Sequence, residues 1–226
     1  NAWKLYSKQG LTKPIDSLEL NGLMSFVGFK NNENYMVKFE NRKVIFNKKA
    51  VDVKFDFNAM AQGFSADVIS RYLETKGAQN YYVEIGGELV TKGKSPSGKK
   101  WRIAIDQPED TDEDDRETQL VVSTSNGGVA TSGSYRNYVE FNGEKYAHIF
   151  NPFTGKPQDS DVLSVTVFAP TAGLADGYAT YFMLIGRDEI KQFCKENQDV
   201  SAIIIYSEKG KFKNEVIGRP SFVIND

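Results

Sequence analysis

Apolar positions along the chain recur with two periods, and the places where the period changes outline the elements. A short helical pattern runs from Ile15 to Phe26, and "NYMVKFENRKVIFNKK" then alternates apolar and polar residues as strands do. From Val53 the pattern reads strand, turn, helix, strand: "VKFDF", "NAMAQG", "FSADVISRYLETKG" and "NYYVEIGG". In that helix Ala66, Ile69, Tyr72 and Leu73 recur at spacings of three or four, which predicts one buried face. Gly77 stands where a C-terminal cap belongs. Strand patterns follow in "KWRIAID", "TQLVVSTS", "GGVATSG", "YRNYVEFNGEKYAHIF" and "DVLSVTVFAP"; the Asn-Gly of "EFNGEKY" predicts a hairpin. Two helical stretches, "TAGLADGYATYFMLIG" and "RDEIKQFCKEN", precede the apolar strand "SAIIIYSE".

Composition narrows the function classes. With 28 basic and 30 acidic residues in 226, no strong field favours nucleic acid or an anionic membrane. The apolar runs are far shorter than the ~20 residues of a spanning helix, so no transmembrane segment is expected. The single cysteine, Cys194, excludes an internal disulfide and a cysteine cluster for zinc, and its helical setting reads as a small buried residue. The acidic run Glu109 to Glu117 lacks the ordered spacing of a calcium loop and reads as a solvated loop. The chain opens at Asn1 without an apolar signal stretch, which leads us to expect a processed protein or a piece of one.

Four segments can carry chemistry. In "FDFNAMAQGFSAD" a strand ends at Asp56 and small residues lead into a helix start, where free N–H groups favour a phosphate; many structural strand-to-helix turns look the same. In "EIGGEL", Gly86 and Gly87 let a ligand approach the main chain, or make a tight turn. In "VATSGSYRNY", Thr131, Ser132 and Gly133 supply hydroxyls and open backbone at a strand end. The only histidine, His148, alternates onto the same strand face as Tyr146 and lies beside the turn at Thr154-Gly155, although a lone histidine is more often structural. In "GLADGYATYFML", Asp176 and Thr180 are four apart and share a helix face. A carboxylate and a hydroxyl so placed suit a hard cation, while an isolated aspartate can equally be a surface or capping group.

Together and in this order, "DFNAMAQGFSADVI", "VEIGGEL", "WRIAI", "ATSGSYRNY", "HIFNPFTGKP" and "ADGYAT" resemble the FAD:protein FMN transferases, the ApbE flavin transferase family. The resemblance runs from about Asp56 to Ile205. It implies an α/β fold of the α+β kind, with mixed, largely antiparallel sheets packed with helices, in a single flavin transferase domain over 1–226 whose N-terminal portion is incomplete. It implies that a Thr or Ser hydroxyl of a target flavoprotein attacks the FMN phosphorus of FAD with the help of magnesium, releasing AMP. His148 then resembles the general base. Asp176, Thr180 and the carbonyl of Ala59 resemble the metal ligands. Asp56, Gln62, the backbones around Gly86, Gly87 and Glu88, the strand end Thr131, Ser132 and Gly133, and Ile149 resemble FAD contacts. The chain departs from the family pattern in carrying Gln62 for lysine and Asn151 for aspartate, and Asn58-Ala59 for a glycine pair. The implied partners are FAD and acceptor flavoprotein subunits of membrane redox complexes, and the implied setting is periplasmic, as a membrane-anchored lipoprotein. The residues alone leave two further readings, an FAD pyrophosphatase giving FMN and AMP and a flavin-binding protein without catalysis.

Overall fold

The computed structural model describes residues 17–24, 27–28, 35–49, 51, 53–108, 117–134, 138–141, 144–147, 151–152, 154–155, 161–208 and 211–225. In chain order the elements are α1 (Ser17–Met24), β1 (Tyr35–Glu40), β2 (Lys43–Lys48), α2 (Ala61–Thr75), β3 (Tyr81–Ile85), β4 (Glu88–Lys92) and β5 (Trp101–Asp106). There follow β6 (Thr118–Thr124), β7 (Asn126–Gly133), β8 (Tyr138–Phe141), β9 (Glu144–Ala147), β10 (Val162–Ala169), α3 (Ala172–Ile185), α4 (Arg187–Glu196), β11 (Ser201–Glu208), β12 (Lys211–Gly218) and β13 (Val223–Asn225). The chain divides into two compact units, Asn1–Asp56 with Tyr138–Gln158, and Phe57–Asn137 with Asp159–Asp226.

The first unit holds two antiparallel hairpins. β1 pairs with β2 through Asn41 and Arg42, whose φ values of 52° and 61° give the left-handed two-residue turn that matches strand twist. β8 pairs with β9 antiparallel, Phe141 opposite Glu144, as the hairpin signal predicts; the Asn-Gly pair itself lies outside the described residues. The segment 53–57 is not a strand, contrary to the alternation of "VKFDF". Its apolar position Phe55 instead packs its ring on Phe46 at 4.1 Å and on Tyr35 at 5.9 Å, so an aromatic cluster rather than a ladder accounts for the pattern.

The second unit is layered. A six-stranded antiparallel sheet, ordered β12-β11-β10-β7-β4-β3, lies between helices and a three-stranded sheet, β13-β6-β5. Alternation along the strands sends one set of residues to each side. Leu89, Val129, Phe168, Ile203 and Ile205 meet Ile103, Ile105 and Val122 of the smaller sheet in one core, with Phe168 stacked on Phe222. Val83 and Val90 meet Ala66 and Ala172 on the helix side. The helix α2 starts at Ala61, three residues before the patterned stretch, and ends as a Schellman motif. There Gly77, at φ 84°, donates to the Glu74 carbonyl at 2.9 Å and Ala78 donates to that of Leu73 at 3.1 Å.

The face that α2 buries differs from the one its apolar residues predict. Gly63, Ala66, Asp67 and Ser70 are buried, whereas Ile69 and Tyr72 are 42% and 61% exposed. The cause is the approach of α3. A Cβ on Gly63 would stand 2.2 Å from the carbonyl oxygen of Ala172 and 2.8 Å from Cβ of Asp176, so only small side chains fit between the two helices. Gly128 on β7 is pressed as closely from the other side, since its Cβ would stand 2.2 Å from the Ala172 nitrogen.

Candidate active site

Close packing of α2 on α3 puts polar groups of distant segments side by side. Asp176, on the second turn of α3, is 6% exposed and accepts a 3.0 Å hydrogen bond from the backbone N–H of Gly63 in the first turn of α2. Burial pushes the Asp176 carboxyl above its ordinary value, and the Gly63 hydrogen bond opposes that shift. One turn further on, Thr180 meets Ser132 of β7, with 3.3 Å between the hydroxyl oxygens. The spacing that predicts a shared helix face for Asp176 and Thr180 therefore serves two different neighbours, one helical and one in the sheet.

The turn before α2 adds a carbonyl. Phe57 to Met60 form it, closed by a 3.0 Å bond from the Met60 N–H to the Phe57 carbonyl. The Ala59 carbonyl oxygen lies 3.9 Å from the place a Cβ would occupy on Gly177, the neighbour of Asp176. Carboxylate, hydroxyl and carbonyl are all hard oxygen donors, the set that suits magnesium; such sites use one or two carboxylates and draw the remaining ligands from water and substrate phosphate. Among the described residues no group of three His, Cys, Asp or Glu lies together. The donors present fit a magnesium ion that shares its shell with a phosphate.

The paired glycines turn the β3–β4 hairpin. Gly86 and Gly87 have φ of 66° and 104°, the two-residue left-handed turn, so the tight-turn reading holds. Gly86 also leaves room for a side chain: a Cβ there would lie 2.1 Å from Nε2 of Gln62 and 3.6 Å from Oε2 of Glu88. Gln62, Gly86 and Glu88 are thus neighbours. Glu88 is 9% exposed, and its Oε2 has no hydrogen-bond partner among the described residues. Burial, and next the charge of Asp176, push its carboxyl up to about 7. A buried carboxylate oxygen without a donor is the kind of group a ligand N–H or O–H would satisfy.

Two of the predicted strand residues have other neighbours within the sheet. Thr131 points to the opposite face of its strand from Ser132 and pairs with Thr166 at 2.8 Å between hydroxyls. Gly133 lies one residue beyond Ser132, opposite Ser164 of β10. Asp56 belongs to the first unit and is exposed. His148 and Ile149 lie outside the described residues.

Two residues of this neighbourhood go unnoticed in the sequence. Gly63 supplies the N–H that Asp176 accepts. Asp67, one turn further along α2, is 5% exposed and accepts 2.9 Å bonds from the N–H groups of both Ala172 and Gly173. The available signal is an aspartate four residues after a glycine inside a helical stretch, on a face otherwise made of small residues.

The ApbE family model matches residues 1–204. The chain belongs to the ApbE family. It is 40% identical over 168 residues to the FAD:protein FMN transferase of Haemophilus influenzae, a match covering 74% of this chain and 48% of that protein. The FAD:protein FMN transferase of Klebsiella pneumoniae is 38% identical over 166 residues, with 74% and 46% covered. Among solved structures, the flavin transferase ApbE from Vibrio cholerae superposes with a TM-score of 0.75 at 30% identity, over 96% of this chain and 66% of that one. The apo form of the flavinyl transferase ApbE from Pseudomonas stutzeri gives 0.72 at 29%, over 91% and 60%. The α+β architecture expected from the sequence is thus the ApbE fold. The chain spans about half the length of the curated relatives it matches.

Proposed function

We propose that this ApbE family member transfers FMN from FAD to a Thr or Ser hydroxyl of an acceptor flavoprotein, with magnesium, and releases AMP. The observation that supports the reading is the row of hard oxygen donors on α3, Asp176 and Thr180 one turn apart, with the Ala59 carbonyl near Gly177, and close by a buried Glu88 Oε2 that has no hydrogen-bond partner among the described residues. The activity named for its relatives, FAD:protein FMN transfer, supports this chemistry.

In this reading the acceptor oxygen forms a bond to the FMN phosphorus while the bond from that phosphorus to the AMP phosphate oxygen breaks. The acceptor proton passes to His148, whose ordinary pKa of about 6.5 suits a base at neutral pH. When magnesium is bound, it offsets the charge gathering on the leaving phosphate. Asp176, Thr180 and the Ala59 carbonyl would hold that ion. The Gly63 N–H fixes one oxygen of Asp176, so that carboxylate cannot rotate freely. Gln62 and Glu88 would receive polar groups of FAD, with Gly86 allowing the close approach.

The test is incubation with FAD, magnesium and an acceptor subunit of a membrane redox complex. Covalent flavin fluorescence on the acceptor, with AMP released in equal amount, is the expected result. AMP with free FMN and an unlabelled acceptor would replace transfer by hydrolysis; neither product would overturn the reading. His148→Ala should lower turnover about 10²–10⁴-fold. A periplasmic, lipid-anchored setting belongs to the same proposal, and fractionation of cells that produce the protein checks it.

A further inference from the structure

We infer that Asp67 is the positioning residue that holds the start of α3, and through it the Asp176 and Thr180 donors, in register with the site; this rests on the metal reading above. A helix start leaves its first N–H groups without partners inside the helix. At α3 three of them are met from outside the ladder. Thr171 caps locally, its hydroxyl accepting from Leu174 at 3.2 Å. Ala172 and Gly173 donate to the two carboxylate oxygens of Asp67, each at 2.9 Å, and Asp67 comes from α2, 105 and 106 residues away in sequence.

The two helices cap each other. Asp67 of α2 takes N–H groups at the start of α3, while Asp176 of α3 takes the Gly63 N–H at the start of α2. Gly63 and Asp67 are one turn apart, as are Ala172 and Asp176, so the two clasps run in parallel across a contact too tight for larger side chains. A two-point carboxylate grip fixes both the height and the rotation of α3's first turn. Asp176 lies four residues beyond Ala172 and Thr180 eight, so rotation at the grip is passed directly to both oxygens. Asp67 takes no part in the chemistry itself; it acts through the helix it holds.

Asp67→Asn tests this, because the amide keeps one acceptor but turns an N–H₂ toward the other backbone N–H. The readout is binding of Mn²⁺, a magnesium surrogate, by water-proton relaxation on the whole chain, at a temperature where circular dichroism shows the variant folded. We expect the Mn²⁺ dissociation constant to rise at least tenfold. In the FMN transfer assay the half-saturating metal concentration should rise with it, while kcat at saturating metal stays near wild type. Should the Asn variant fail to fold, Asp67→Glu, which keeps both oxygens on a longer stem, carries the same expectation. A folded variant with a lowered Tm and wild-type Mn²⁺ affinity would make Asp67 a purely structural cap and overturn the inference. Wild-type protein that binds no Mn²⁺ would instead overturn the metal reading, and this inference with it.

Discussion

The helices α2 and α4 belong to the same unit and bury their faces by opposite means. α4 follows the common rule: Ile190 and Cys194, four residues apart, are buried, its charges face outward, and Asp188 and Glu189 in the first turn with Lys195 in the last complement the helix dipole. α2 reverses the rule, burying Gly63, Ala66, Asp67 and Ser70 while Phe64, Val68, Ile69 and Tyr72 stay 42–61% exposed. The first helix is held by apolar area, the second by close backbone approach and buried carboxylate bonds. Where a helix keeps polar groups on its inner face, placement of those groups takes precedence over apolar burial.

Four measurements break or sharpen that contrast. Ile190→Ala should cost about 4 kcal/mol in urea denaturation, since it opens a cavity behind a fully buried side chain. A loss below about 1 kcal/mol would remove α4 as the apolar reference. Gly63→Ala should cost about 2–3 kcal/mol, because overpacking against the Ala172 backbone outweighs the ~1 kcal/mol gain in helix propensity. A stabilised variant would show that α2 and α3 are not so closely pressed. Cys194 tests the dryness of α4's inner face. Burial pushes its thiol up to about 11, so Ellman's reagent at pH 8 should not react until the chain unfolds. Since that folded value lies above the ordinary one of 9.0, the thiol's contribution to stability is complete below pH 9 and is lost as pH rises through about 11. Smallest of all, Val68→Ser on the outward face of α2 should shift stability by no more than about 0.5 kcal/mol. A larger loss would mean that this face is covered in solution.

The same contrast explains what the sequence reveals. Strands β5, β6, β7, β10 and β11 and the helices α3 and α4 follow from periodicity, because each buries an apolar face against the six-stranded sheet or the small sheet. Strands β12 and β13 are not evident: β12 exposes most of its residues and carries charge through its middle, and β13 is three residues long. β4 hides behind its glycine turn. The inner face of α2 is misread because a hydrophobic count favours Ile69 and Tyr72, which the tight contact with α3 excludes. Asp176 and Thr180 are legible as a pair by helical spacing alone. Their partners Gly63 and Ser132 are not, since those contacts join residues 113 and 48 apart and exist only once α2, β7 and α3 have packed.

The reciprocal capping of α2 and α3 also bears on how the molecule breathes. A helix end with its own local cap can fray alone, exchanging its amide hydrogens turn by turn. Here the Gly63 amide is protected by a residue of α3, and the Ala172 and Gly173 amides by a residue of α2. Neither end can open without releasing the other, so these three amides should exchange in a single cooperative event. The protons of two helices far apart in sequence then share one clock.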